Sequence, residues 1–519
     1  MDVANGGDVR KKRSKGRVPD IEPWLEGLEK YRNGALRITR TPGRAEAGTR
    51  NCVELRDLLK PESLEGMWAC AFFLEYDFFS PHVPVDGSGE HARRDVPIYF
   101  SRDFNQDPLR LIAAARAGLD LPLKNRRYSK EQEDKIVPEL CELWQHIAGP
   151  NWKASYPYAS GCAHPKALVL KYPGFLLVVI TSCNFMRIDM ELSDNHWFIM
   201  SFPLLVNGQT AEPTEFEAHL LHMMGELDCP DSFVRSIRGK YDYSATVNRV
   251  HLVLSTPGVK TGGPARNYGV LRLGELAKEL ISPRLIKEDR IALEICIASL
   301  GTLKDEWAKK VDWVLKGKGA DKLAKLIDRE REDKLSEPEW TVVYPTKKTV
   351  NECSEEVQVA ASNIGCAIRT SQWDHTPLST RSMFHDYRSK DCGRLFHQKS
   401  ILWLDKLHLS FPSSPPSSTS IDSSSPSVKP SPPPPLMLYL GSHNFSKAAW
   451  GTPSSSGGGE PKLSDVANYE LGVVVKGSEI EGLLEEGSSW EEAVTYERPA
   501  RRYGEDDKPW NSRAWVKSK

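Results

Sequence analysis

Two stretches of the 519-residue chain repeat the same reactive side chains in the same order. The first runs His164-Pro165-Lys166, then ALVL, a KYPG turn, FLLVVI and Thr181-Ser182-Cys183-Asn184-Phe185. The second runs His397-Gln398-Lys399, then SILWL, a Ser/Pro-rich stretch, LMLYL and Gly441-Ser442-His443-Asn444-Phe445. His and Asn are 20 residues apart in the first copy and 47 in the second; Pro412 to Pro435 takes 24 of the latter and leaves 23. A single H-x-K on a strand is commonplace and carries no chemistry by itself. Two copies, each followed at matching effective distance by an apolar run and S-x-N-F, are hard to obtain by chance.

Each copy joins an imidazole, an ammonium and a carboxamide. Two copies facing each other would surround an anion with two lysines and two amide donors and set one imidazole on either side, as a phosphodiester site requires. Phosphodiester hydrolysis is very slow in water, so a covalent intermediate and fixed charge on the equatorial oxygens both help. One neutral histidine can attack phosphorus while the other, protonated, donates to the leaving oxygen and then takes a proton from water. Lys166 and Lys399 then supply the charge a divalent cation would otherwise provide, so neither metal nor cofactor is expected.

The elements that must position these groups are short strands. Alternation along a strand puts residues two apart, such as His and Lys, on one face. A hairpin folds the Asn at the end of the second strand back beside them. The Ser/Pro insertion of the second copy falls where the first has its hairpin turn, a place that tolerates added length at small loop-closure cost. Pro165 lacks a backbone donor, which predicts that its strand lies at an edge or meets a bulge.

Elsewhere the chain offers scaffolding. Thr214 with Glu217 predicts a capped helix carrying Phe216, Leu220, Met224 and Leu227 on one stripe. His219 and His222 lie three apart on it, weak ground for a metal without a third ligand. The charged stretch Leu303 to Leu335 predicts helices with a solvated face. STPGVKTGGP, following an apolar strand, is a natural break between two halves at 256/257; its Lys260-Thr261 lacks phosphate-loop spacing. Residues 1–18 carry Arg10, Lys11, Lys12, Arg13, Lys15 and Arg17 among glycines and predict a disordered basic arm, which suits a solvated tail, a nuclear import signal or a weak nucleic-acid contact. Pro412–Pro435 and the Ser/Gly-rich Thr452–Gly459 predict disordered insertions.

Composition narrows the class. The length suits roughly three domains or two large ones, and 39% hydrophobic with 27% charged residues fits a globular protein rather than a fibre or a wholly disordered chain. The longest clean apolar run, Phe175 to Ile180, is too short to span a bilayer, and the polar, basic first twenty residues do not read as a secretory signal. The ten cysteines are scattered without a CxxC pair, which predicts reduced, mostly buried thiols. A formal charge of -1 means that any hold on nucleic acid must come from a local groove.

The paired motifs resemble the phospholipase D superfamily and, within it, the tyrosyl-DNA phosphodiesterases. The superfamily's usual Asp five residues after each Lys is absent, those positions holding Lys171 and Leu404, while Asn184 and Asn444 stand where the tyrosyl-DNA enzymes use Asn. Asn444-Phe445-Ser446-Lys447-Ala448-Ala449-Trp450-Gly451 is similar to their second-motif tail. The likeness extends to VHLVLSTPG (250–258), Ser299-Leu300-Gly301, the VVYP segment, Tyr469-Glu470-Leu471-Gly472 and Lys508-Pro509-Trp510.

The resemblance implies an α/β fold of two similar phospholipase-D-like domains, 19–256 and 257–519, each a mixed sheet flanked by helices, related by a pseudo-two-fold axis. It implies His164 as nucleophile and His397 as general acid, then base. Lys166, Lys399, Asn184 and Asn444 would hold the phosphoryl oxygens, and Glu470 would stand beside the second His. Asn195 occupies the place of a Gln near the nucleophile, one methylene longer. Ser299 and Ser446 match DNA-phosphate contacts. A base-stacking Phe of the family falls on Ser160, with Tyr156 and Tyr158 nearby. The implied reaction releases a topoisomerase I-derived peptide from the 3' end of single-stranded or nicked DNA, leaving a 3'-phosphate. The protein would be a nuclear monomer without membrane contact. A phospholipase-D-like nuclease or lipid hydrolase, and a non-catalytic scaffold that binds DNA ends, are the competing classes.

Overall fold

The apolar runs on either side of the KYPG turn pair as a hairpin, Ala167–Tyr172 against Phe175–Thr181, with Ala167 opposite Ile180 and Tyr172 opposite Phe175. Gly174 makes the turn at φ 85°, a conformation glycine adopts without strain. The second copy repeats this: Lys399–Asp405 pairs antiparallel with Met437–Gly441. The computed structural model describes residues 29–42, 50–119, 128–206, 209–303, 305–368, 370–390, 393–409 and 433–512. The basic segment 1–18 and most of Pro412–Pro435 lie outside the described residues.

Each hairpin sits in the middle of an eight-stranded mixed sheet. The first sheet runs Cys52–Val53, Ala35–Thr39, His196–Pro203, Phe175–Thr181, Ala167–Tyr172, Gly66–Ala71, Ile98–Arg102, Trp152–Ser155. The second runs Val250–Ser255, Glu470–Lys476, Met437–Gly441, Lys399–Asp405, Ile291–Ile297, Trp340–Val343, Phe384–Asp386, Arg501–Arg502. With one short edge strand set aside in each (Cys52–Val53 and Arg501–Arg502), the two sheets match strand for strand in chain order, position and direction. The fold is thus one unit built twice.

The match moves the predicted break. Val250–Ser255 pairs with Glu470–Lys476 and so opens the second sheet, where its counterpart Ala35–Thr39 opens the first. The Gly/Pro-rich run after it is only the loop leaving that strand, and the division falls ahead of Val250. The hairpin strands are largely apolar because both sheet faces are covered. In the first sheet Ala167 and Val169 face one core, while Leu168 and Leu170 face a second, closed by Ile136, Leu140 and Trp144 of helix Lys130–Ala148. The first of these cores also takes in Leu252, Leu293 and Val473 of the second sheet, so the two units share one interior.

The capped helix forms as predicted over Glu215–Glu226, with Thr214 accepting the Glu217 amide at 3.2 Å. The stretch 303–335 holds helices Asp305–Leu315 and Ala320–Asp328, but its face is not wholly solvated: Trp307, Val311, Val314 and Leu323 are buried, and Asp312 bonds the Trp340 indole. Thr452–Gly459 is likewise not a disordered loop. Thr452–Ser455 pairs with Pro461–Ser464, and Gly457, Gly458 and Gly459, all at positive φ, turn between them. The glycines that suggested disorder are what the tight turn requires. Every described cysteine is a free thiol.

Candidate active site

Each H-x-K motif enters its sheet by pairing first with the other unit. Ala163 bridges to Tyr469, and the His164 amide donates to the Tyr469 carbonyl at 3.0 Å. Leu395–Phe396 pairs parallel with Ser193–Asp194, and the His397 amide donates to the Asp194 carbonyl at 3.0 Å. The two H-x-K segments are thereby drawn to one seam. Lys166 and Lys399 are fully buried, and each ammonium donates to the carbonyl of its own histidine, at 2.7 and 2.5 Å. Pro165 precedes a central strand rather than lying in an edge or bulge, so it costs the ladder no hydrogen bond.

A buried carboxylate from the opposite unit stands behind each imidazole. His164 Nδ1 lies 2.9 Å from Glu470 Oε2, and His397 Nδ1 lies 2.9 Å from Asp189 Oδ2. A carboxylate only accepts, so each Nδ1 carries the hydrogen and each Nε2 is left for chemistry. Glu470 therefore backs the first histidine, not the second as predicted. The carboxylate behind His397 was not foreseen. Asp189 sits in a π-helical turn, Ile188–Leu192, of the kind often found at functional sites. Its position five residues after Asn184 is the signal the sequence offers, in a different place from the superfamily's Asp five residues after each Lys. The corresponding position after Asn444 is Ala449.

Asn195 does not reach either imidazole. It is buried, accepts Ser182 Oγ at 2.8 Å and donates to the Asp189 carbonyl at 3.0 Å. In the second unit the same place is held by Glu470, which accepts Ser442 Oγ at 2.5 Å. The two serines of the S-x-N-F motifs do matching work, each also accepting the amide that follows its partner, His196 or Leu471. Asn184 Oδ1 accepts the Phe73 amide at 3.3 Å, which leaves its NH2 to donate elsewhere, and Asn444 Oδ1 is buried without a partner. Phe72, unmarked in the sequence, packs its ring 5.0 Å from that of His164.

Ser299 lies on the short strand Ser299–Leu300 beside Gly365–Cys366, and its carbonyl accepts the Phe445 amide. Ser446 Oγ caps helix Lys447–Trp450. Of the tyrosines near Ser160, Tyr156 is locked inside by its bond to Asp107, while Tyr158 is 43% exposed and available for stacking. His222 bonds the Tyr268 hydroxyl at 2.8 Å, and burial lowers His219 to about 4.

Electrostatics distinguish the histidines. Burial holds His164 well below the ordinary imidazole range, and Lys166 and Lys399 push it the same way, so it is a neutral base. Burial takes His397 to about 4 although Asp189 pulls it upward, so the carboxylate only moderates the loss of its proton. Burial brings Lys166 to about 8 against the pull of Glu470, and lowers Lys399 further with Lys166 beside it. Two buried ammonium groups that repel each other form a site that an anion relieves, and its charge would raise lysines and histidine together.

A twice-built mixed sheet with a His-Lys-Asn set on each central hairpin defines a phospholipase-D-like protein. The structure of yeast tyrosyl-DNA phosphodiesterase superposes with a TM-score of 0.57 at 13% identity, over 92% of this chain and 99% of that one. A variant of the yeast protein gives 0.58, also at 13% identity, over 92% and 99%. The model of the tyrosyl-DNA phosphodiesterase family matches residues 35–510, and the chain belongs to that family. It is also 26% identical over 184 residues to tyrosyl-DNA phosphodiesterase 1 of Arabidopsis thaliana, a match spanning 32% of this chain and 29% of that relative.

Proposed function

We propose that the protein is a DNA-repair phosphodiesterase that hydrolyses the bond between a DNA 3'-phosphate and the tyrosine of a topoisomerase I-derived peptide. His164 Nε2 attacks phosphorus, the P–O bond to tyrosine breaks, and the phenolic oxygen takes the proton from His397 Nε2. Water then attacks the phosphohistidine, gives a proton to His397, and breaks the P–N bond to leave a 3'-phosphate. Lys166, Lys399, Asn184 and Asn444 hold the phosphoryl oxygens. Ser299, Ser446 and Tyr158 line the approach of single-stranded or nicked DNA. The observation that carries this reading is the pair of carboxylate-backed imidazoles beside two buried lysines. We place the protein in the nucleus, where such adducts arise; among the described residues no helix is long and apolar enough to cross a membrane.

The test is cleavage of a 3'-phosphotyrosyl oligonucleotide in chelator. Wild type should turn over, and His164→Ala should lose at least about 10⁴-fold, as removal of a nucleophile does. His397→Ala should accumulate the phosphohistidine adduct from an ester with an acidic phenol, because that leaving group needs no proton while the second step still needs a base. Preference for internal phosphodiesters or phosphatidyl substrates would favour the nuclease or lipid hydrolase. End binding without turnover would favour the scaffold.

A further inference from the structure

Asp189 Oδ2 accepts two donors, His397 Nδ1 and the Asn184 amide at 2.7 Å, so the plane of the carboxylate is set on that side by the imidazole it must aim and by one backbone amide, and a side-chain torsion as broad as this one is held more firmly by a donor on the other oxygen. Its other oxygen, Oδ1, accepts Asn363 Nδ2 at 2.9 Å. Asn363 comes from the second unit, so the contact returns across the seam: His397 of the second unit leans on Asp189 of the first, which is held by the second. Asn363 stands on firm ground. The preceding helix Glu355–Ala360 packs on the turn Ile188–Leu192 and on Leu395–Phe396, the residues that introduce Asp189 and His397. Two residues after Asn363, the Gly365 amide donates to the Ala298 carbonyl at 2.9 Å and Gly365 pairs with Ser299.

We infer that Asn363 is a positioning residue for the proton donor: by fixing the plane of the Asp189 carboxylate it aims His397 Nε2 at the leaving oxygen. With three donors the carboxylate has one orientation, and the imidazole it holds has one direction. The same short segment carries the partner of Ser299, so the DNA-contacting strand and the anchor of the proton donor are one piece of structure. The inference rests on the proposed phosphodiesterase reading and goes beyond it in naming what orients its acid.

The experiment compares two 3'-esters of one oligonucleotide, tyrosyl and 4-nitrophenyl, in single-turnover formation of the His164 adduct. The tyrosyl ester needs the proton and the nitrophenyl ester does not. Asn363→Leu keeps the size and removes the donor; it should slow the tyrosyl ester about 10-fold, less than the roughly 10²- to 10⁴-fold that a general acid supplies because the acid is misaimed and not removed, and the nitrophenyl ester less than about 2-fold. Asn363→Asp, of nearly the same shape, sets a second carboxylate against Asp189 and should give the same selective loss, which covers the case in which the Leu variant does not fold. Equal slowing of both esters would reduce Asn363 to a packing role and overturn the inference, as would no slowing of either. Failure of wild type to cleave either ester would instead overturn the phosphodiesterase reading.

Discussion

The two units share a topology but not a way of holding their histidines. Behind His164, Glu470 gives one oxygen to the imidazole and Ser442 and the other to Asn468, which lies two residues away on the same chain segment. Behind His397, Asp189 gives one oxygen to the imidazole and the Asn184 amide and the other to Asn363, from the opposite unit. Each carboxylate thus has an imidazole, a second donor and an asparagine. Both carboxylates reach across the seam to their imidazoles, but Glu470 is steadied within its own unit, whereas Asp189 is steadied from the opposite unit as well. Duplication supplied two equal frames, and departures from equality divided the roles. The residue that topology pairs with Glu470 is Asn195, one methylene shorter and uncharged, and a neighbouring π-turn filled the gap with Asp189.

A pair of isosteric variants separates the two supports. Glu470→Gln disturbs the nucleophile and should slow tyrosyl and nitrophenyl esters alike, by about 10³-fold, within the range for a lost acid-base partner. Asp189→Asn keeps an oxygen that can accept the Asn184 amide but removes the charge behind the proposed proton donor, and should slow the tyrosyl ester about 10²-fold while largely sparing adduct formation from the nitrophenyl ester. The sign of the pH effect follows. Asp189 raises the His397 pKa against burial, so its neutralisation lets that pKa fall and moves the alkaline limb of tyrosyl cleavage to lower pH. A limb that stays in place or moves upward would show that Asp189 does not govern His397. Equal losses on both esters from both variants would erase the division of roles.

Stability gives a second comparison. Burial lowers His196 and His397 to about 4 and His443 to about 3, and holds His164 well below its ordinary value. His443 stands where the first unit has Cys183, stacked on Trp450 and bonded to the Tyr439 hydroxyl, so the second unit carries the extra burden. Unfolding returns these imidazoles to a pKa near 6.5, so the unfolded chain binds more protons between pH 4 and 6.5. Their contribution is complete above pH 6.5 and is lost as pH falls, at about 2 kcal/mol per group by pH 5. Melting temperature should therefore drop steadily from pH 7 to pH 5. A flat profile would mean that these histidines do not stay neutral in the fold.

The frame was legible where chemistry repeats. H-x-K and S-x-N-F, with apolar runs between them, located both hairpins and six of the site groups, because a buried central strand reads as a continuous apolar run and a motif found twice stands above chance. What could not be read was pairing across the seam. Which histidine Glu470 faces depends on how the units dock, and sequence spacing within one unit does not encode it. Asp189 and Asn363 escaped for the same reason: each acts on a residue of a distant segment. The hairpin Thr452–Ser464 and the break before Val250 were missed because glycine and proline mark turns inside a sheet as readily as linkers between domains.

The smallest effect is the most pointed. Asn195 matches Glu470 in topology, and if position alone assigned function, lengthening it to Gln would improve the hold on His397. The contacts say otherwise. Asn195 is fully buried, with Oδ1 on Ser182 and Nδ2 on the Asp189 backbone, so its work is to support the π-turn from beneath. An added methylene there meets a packed interior, where small-to-large changes cost about 1 to 3 kcal/mol of stability. Asn195→Gln should thus lower the melting temperature by a few degrees yet change tyrosyl cleavage less than about 3-fold, because Asp189 still holds the imidazole that gives general acid catalysis its 10²- to 10⁴-fold share. A rate change of about 10-fold or more with an unchanged melt would return the role to Asn195 and make Asp189 the bystander.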